Sequence, residues 1–153
     1  MPSRYWLMKT EPGTYSIADL RRDGSTCWEG VRNYRARNLM REMKKGDAVL
    51  FYHSNAKPPG VAGLARVCRE AYPDHFAFDK RSRYYDEKSP RDEPRWWMVD
   101  VEFVEEFPRV VGLDELKADP AFADMMVTQR GARLSVQPAA RKHHDRIVKL
   151  SRK

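Results

Sequence analysis

Cysteine is scarce: Cys27 and Cys68 are the only two, they stand in unrelated contexts, and no CxxC occurs. Neither a disulfide framework nor a thiolate zinc site is therefore encoded. Long hydrophobic runs are missing as well. Nothing approaches the roughly 20 apolar residues of a membrane span, and Met1-Pro2-Ser3-Arg4-Tyr5-Trp6 lacks the charged-then-apolar layout of a secretory leader. The expectation is a soluble protein of the cytoplasm (of the nucleus, if the cell is eukaryotic) with no membrane partner. No repeat, low-complexity tract or linker divides the 153 residues, a length that fits one domain. GxGxxG and Walker loops are absent, which removes the usual backbone cradles for dinucleotides and triphosphates. The adjacent His143 and His144 would point about 100° apart on a helix and cannot easily share a metal. No cofactor and no metal are expected.

What the chain does have is positive charge and aromatic rings. Hydrophobic residues make up 41% and charged residues 33%, with a net charge of +7, a balance that favours an acidic partner. The charge is uneven. Arg32 to Lys45 holds Arg32, Arg35, Arg37, Arg41, Lys44 and Lys45 against Glu42 alone, and the segment from Arg130 to Lys153 is similarly basic. Between Val99 and Met125 the balance reverses, with eight acids facing Arg109 and Lys117. Basic ends and an acidic middle are compatible with one basic face, the footprint of phosphate binding. Arg32, Arg35, Arg37 and Arg41 are the candidate phosphate contacts; the alternative is a solvated helix surface.

Periodicity reads as a mixed α+β domain, a curved or barrel-like β-sheet flanked by short helices. Arg4 to Lys9 is a strand, stopped by Glu11-Pro12-Gly13. Ser16 caps a helix through Arg22, and Asn33 caps a second, whose Ala36, Leu39, Met40 and Met43 recur at helical spacing before Gly46 ends it. Ala48 to His53 is a continuous apolar run, the pattern of a strand buried on both faces. Val61 to Cys68 and Trp97 to Phe103 are further strands, and the alternation in the second puts Trp97 in the core and Trp96 outside it. Helices are expected at Leu113 to Ala118 and Ala121 to Met126. Leu134 to Val136 reads as a last strand, with Pro138 opening a terminal helix.

Two constellations carry chemistry. Pro73-Asp74 with Asp86-Glu87-Lys88 fits the spacing of metal-dependent nucleases, in which two carboxylates hold magnesium and a lysine positions water. Against it, Arg81 to Arg95 is too charged and too rich in turn residues for a buried catalytic strand. Gly60-Val61-Ala62-Gly63 matches the GxxG of an RNA-binding loop but lies in a strand-like run without cations. The aromatics offer more. Trp28 stands just before the basic helix, and Tyr52-His53-Ser54-Asn55 closes a strand with groups that stack or hydrogen-bond. Flat rings stack on bases while neighbouring polar groups read the base edge. Trp28 as a core plug is the competing reading.

Blocks along the whole chain resemble the EVE domain of the PUA-like superfamily: Tyr5-Trp6-Leu7-Met8-Lys9-Thr10-Glu11-Pro12; Trp28-x-Gly30-Val31-Arg32-Asn33-Tyr34-x-Ala36-Arg37-Asn38; Gly46-Asp47; Phe51-Tyr52-His53-Ser54-Asn55; Ala71-Tyr72-Pro73-Asp74; and Leu134-Ser135-Val136-Gln137-Pro138. The resemblance implies a non-catalytic reader of a modified base in DNA or RNA, related to the YTH readers of methylated adenine. By position it makes Trp28 the stacking wall. Lys9, Thr10, Glu11 and Asn33 become polar contacts, Tyr52, His53 and Ser54 the facing wall, and Ser135 and Gln137 the closing side. Trp6, Asn38 and Trp96 are further candidates, Asn38 lying on the solvent side of its helix. Three readings thus stand: a monomeric modified-base reader, a metal-dependent nuclease using Asp74, Asp86 and Lys88, and an adaptor whose basic face meets an acidic partner.

Overall fold

The computed structural model describes Pro2 and residues 4–153. Its frame is one six-stranded sheet in the order β2-β5-β4-β3-β1-β6, where β1 is Tyr5–Thr10, β2 Ser25–Cys27, β3 Ala48–His53, β4 Gly60–Pro73, β5 Trp97–Gly112 and β6 Val136–Ala139. Strands β1 and β3 run parallel; the other pairs are antiparallel. Because β1 and β3 are buried on both faces, their side chains divide between two cores. Trp6, Met8, Val49 and Phe51 face one side, packed against Ile17 and Leu20 of α1 (Ile17–Asp23) and Ala36 and Met40 of α2 (Tyr34–Glu42). Leu7, Leu50 and Tyr52 face the other, against Leu116 of α3 (Leu113–Ala118) and Ile147 of α4 (Arg141–Ser151).

The sheet is open: β2 and β6 are its edges and no ladder joins them among the described residues, so the barrel-like closure is not formed. It is nevertheless bent. Strands β4 and β5 have 14 and 16 residues, longer than the usual 3–10, and their register shifts at four places, each a point of extra twist. Gly63 belongs to this ladder, since a Cβ there would collide with the Glu105 carbonyl and with Ile17. The GxxG spacing therefore reflects close strand approach.

Caps fix the helices where expected. Ser16 and Asp19 form a reciprocal capping box on α1, and the Asn33 side chain accepts the Ala36 N–H at 3.0 Å. Helix α2 stops at Glu42, however, and Gly46, with φ of +96°, sits in the turn beyond it. The Ala121–Met126 segment forms two 3-10 turns, Pro120–Phe122 and Met126–Thr128, rather than a helix. Pro138 pairs opposite Trp6 inside β6, an edge strand where its missing N–H is tolerated; α4 begins three residues later. Trp97 is only half-buried, beneath Arg41 at 4.5 Å. Trp96 is the buried one, stacked on Tyr34 at 4.9 Å and donating to Asp86 at 2.7 Å.

Residues 74–96 connect β4 to β5 and are stitched to the loop before α2 by one carboxylate. Asp74 is fully buried. Its Oδ2 accepts the Gly30 N–H at 2.9 Å and the Arg32 guanidinium at 3.0 Å, and its Oδ1 accepts the Phe76 N–H at 3.0 Å. Arg32 also donates to the Tyr84 carbonyl at 2.8 Å. Gly30 has φ of +82° and packs against the Tyr84 ring so closely that no Cβ fits.

Two stability outcomes follow from these contacts. Asp74→Ala leaves Arg32 and two N–H groups without their acceptor, and urea denaturation should show a loss of about 3 kcal/mol; a change within experimental error would mean that the carboxylate does not hold the connection. His53 Nε2 accepts the Ile17 N–H at 3.1 Å, which requires the neutral ring. Burial lowers the His53 pKa below 6.5, against an opposing pull from Glu106. As pH falls through 6.5 the unfolded chain takes the proton first, so stability is full above that pH and declines down to the folded-state value. Between about pH 7.5 and about 5.5 the wild-type melting temperature should fall more steeply than that of His53→Gln, whose amide oxygen accepts without titrating. Equal slopes would remove His53 as the cause.

Candidate functional site

The bend in the sheet brings residues beside both edges to one cavity of about 560 Å³. Thr26 and Cys27 of β2 contribute from one edge, followed by Trp28, Glu29, Gly30, Val31 and Arg32. Ala132, Arg133 and Ser135, leading into β6, contribute from the other. The end of β1 supplies Lys9 and Thr10 between them, with Glu11, Thr14 and Tyr15 from the turn beyond and Ser54 after β3. Arg83 and Tyr84 reach the cavity from the long connection held by Asp74. The volume falls within the roughly 300–1,000 Å³ typical of small-ligand pockets.

Trp28 joins the two readings made of it. It is 7% exposed and belongs to the core, edge-on to Phe51 at 5.5 Å between ring centroids, and it also lines the cavity. Its backbone N–H is fixed to the Val99 carbonyl at 2.8 Å. Lys9 is half-buried, its Nζ 3.5 Å from the Ala132 carbonyl, and its pKa is lowered by burial. Cys27 donates to Glu29 at 3.3 Å, and burial first, then the Glu29 charge, pushes its pKa up to about 12. It is a thiol at neutral pH, not a nucleophile. Tyr15 donates to Asp23 at 2.8 Å, and burial and that bond raise its pKa to about 12. The lining thus combines Tyr15, Trp28 and Tyr84 with hydroxyl and thiol groups, two carboxylates (Glu11 and Glu29) and the cations Lys9, Arg32, Arg83 and Arg133.

Of the residues named from sequence, Trp28, Lys9, Thr10, Glu11, Ser54, Ser135 and Arg32 come together here. Others lie elsewhere for identifiable reasons. Tyr52 points to the opposite core, as alternation along β3 requires. His53 turns to the α1 N-terminus, and Gln137 is buried, donating to the Leu134 carbonyl at 2.9 Å. Asn33 is occupied as a cap. Trp6 is fully buried and donates to Asp47 at 2.9 Å. Trp96 lies behind Arg32, and Asn38 is exposed, accepting from Arg37. The aspartates of the nuclease pattern serve the fold: Asp74 as above, Asp86 as acceptor for Trp96 and the Lys88 N–H. No group of His, Cys, Asp and Glu fit for a metal ion occurs among the described residues.

Sequence reasoning missed Thr14, Tyr15, Thr26, Cys27, Glu29, Arg83, Tyr84 and Arg133. No periodicity marks them, since β2 ends at Cys27 and the residues after it are irregular.

A family model of the EVE domain matches residues 4–150. Thymocyte nuclear protein 1 of Homo sapiens is 43% identical over 169 aligned positions, spanning 99% of this chain and 75% of that protein. A protein from Pseudomonas putida superposes with a TM-score of 0.93 at 47% identity, covering 96% of this chain and 99% of its own. Human THYN1, in complex with 5-methylcytosine-containing DNA, superposes with a TM-score of 0.91 at 43% identity over 99% of both chains. With the match spanning nearly every residue, the chain belongs to the EVE domain family.

Proposed function

We propose that this protein is a non-catalytic reader that binds DNA carrying a modified base, 5-methylcytosine being the leading candidate, with the base turned out of its stack into the cavity beside Trp28. The observation that carries the reading is that a cavity of base-accommodating size is walled by Trp28 and bordered by cations, in a chain similar throughout to human THYN1, whose DNA complex contains 5-methylcytosine. A ring supplies stacking, the methyl group adds apolar area to bury, and the polar groups of Lys9, Thr10, Glu11, Ser54 and Ser135, which line the cavity, are the candidates for a base edge. Binding as a monomer, in whichever compartment holds the nucleic acid, completes the proposal; a modified base in RNA is the same chemistry on another sugar.

The test separates wall from plug. Trp28→Ala should weaken cavity binding of the base by the value of one stack, about 1–3 kcal/mol or roughly 5- to 150-fold. It should also abolish the methylated-over-plain preference, which is worth about 0.8 kcal/mol for one buried methyl. Salt-dependent background binding should persist. Trp28 also fills the core, so melting temperature is measured alongside, and Trp28→Phe keeps a ring in place with a smaller stacking face. A folded Trp28→Ala protein with undiminished preference would put the base elsewhere. A second outcome bears on the nuclease reading: methylated and plain strands should stay intact with magnesium, and cleavage abolished by Asp74→Asn in a folded protein would contradict a purely binding role.

A further inference from the structure

The basic segment from Arg32 to Lys45 attracts attention as a phosphate track, but most of its arginines already have partners. Arg32 is paired with buried Asp74 and capped by the Tyr84 carbonyl. Arg37 donates to the Arg95 carbonyl at 2.8 Å and lies over Tyr34 at 4.8 Å. Arg41 covers Trp97 at 4.5 Å. Arg35 is exposed, yet no residue of α2 lines the cavity. The α2 arginines are therefore not part of the cavity lining.

Two other arginines border the cavity itself. Arg83 is exposed and lies over the Tyr84 ring at 4.9 Å, its Nη2 donating to the Tyr84 hydroxyl at 2.7 Å. Tyr84 in turn packs on Gly30 and is held through its carbonyl by Arg32. Arg83 is thereby held on the β2 side of the cavity, the Tyr84 hydroxyl being its one side-chain hydrogen-bond partner among the described residues. Arg133 is exposed and forms no hydrogen bond or ion pair among the described residues. It follows Ala132, whose carbonyl approaches Lys9 Nζ, and it precedes Ser135, whose carbonyl accepts the Lys9 N–H at 2.8 Å. Arg133 therefore rides on the β6 side. The two arginines thus line the cavity from segments on its two sides, both outside the helix that carries the obvious charge.

We infer that Arg83 and Arg133 form the phosphate clamp of the nucleic-acid site, gripping the backbone on the two sides of the nucleotide whose base enters the cavity. This rests on the proposed reading of the cavity. Guanidinium forks suit phosphate geometry, and a backbone held on both sides centres the intervening base over the opening. Such contacts position the strand without reading its sequence.

The test compares two double variants, Arg83→Gln with Arg133→Gln and Arg35→Gln with Arg41→Gln, using one single-stranded oligonucleotide containing 5-methylcytosine and its unmodified twin across a salt series. All four arginines are exposed, and unchanged melting temperatures establish folding. The cavity-rim double should weaken both strands by the same factor and flatten the log-affinity against log-salt slope by about 1.4, two single-strand phosphate contacts at about 0.7 each. The α2 double should leave the slope near wild type. An unchanged slope in the rim double, or a larger loss in the α2 double, overturns the clamp. Loss of methyl preference in the wild type would instead overturn the reading of the base, while the slope on the plain strand still decides the clamp.

Discussion

The buried Asp74 carboxylate is the contact on which the cavity depends. It sits at the start of a connection of more than twenty residues and accepts from Gly30, Arg32 and Phe76. Segments 28–33 and 74–96 also meet where Tyr84 packs on Gly30 and Arg32 donates to the Tyr84 carbonyl, and Asp74 is the buried point on which the Gly30 and Arg32 bonds converge. The pair is nearly dry, with the Asp74 side chain at 0% and Arg32 at 23% exposure. Buried pairs hold well only when their remaining hydrogen-bonding capacity is met. Here it is met by backbone: two N–H groups on the acid, and the Tyr84 and Val31 carbonyls on the arginine. A residue whose sequence context resembles a nuclease ligand is thus a structural clamp.

From that clamp the arrangement propagates outward. Gly30 takes a left-handed conformation under Tyr84, Trp28 is placed two residues earlier against Phe51, and Tyr84 carries Arg83 to the rim. The other side of the cavity depends on β6, whose approach is fixed by the Lys9–Ser135 bond. The irregular β4–β5 ladder bends the sheet enough for both sides to meet. An open, curled sheet accomplishes what a closed barrel would not: it leaves its two edges free to supply opposite walls of one site.

How much of this was legible in the sequence varies with the kind of signal. Ser16 and Asn33 announced their helices because capping is local chemistry, and the run Ala48 to His53 announced a doubly buried strand because both its faces find cores. Strand β2 gave no signal; three residues have no periodicity and owe their conformation to pairing with β5. The Trp96 and Trp97 assignment failed because alternation assumes a regular ladder, and β5 is irregular there, burying both Met98 and Val99. In the site, the Trp28 block and the end of β1 were readable from the family pattern. Arg83 and Tyr84 were not, because their segment carries the charge and turn residues of an exposed loop and its position is set by a carboxylate ten residues away.

The proposed entry of a base into the cavity is most directly open to measurement. A duplex carrying 2-aminopurine beside a 5-methylcytosine reports loss of stacking as a rise in fluorescence, because its emission is quenched while its neighbour stays in the helix. Saturating protein should raise the emission several-fold at the methylated site, and Trp28→Ala, folded and bound, should raise it less. Saturated binding with emission unchanged from free duplex would contradict a base turned into the cavity.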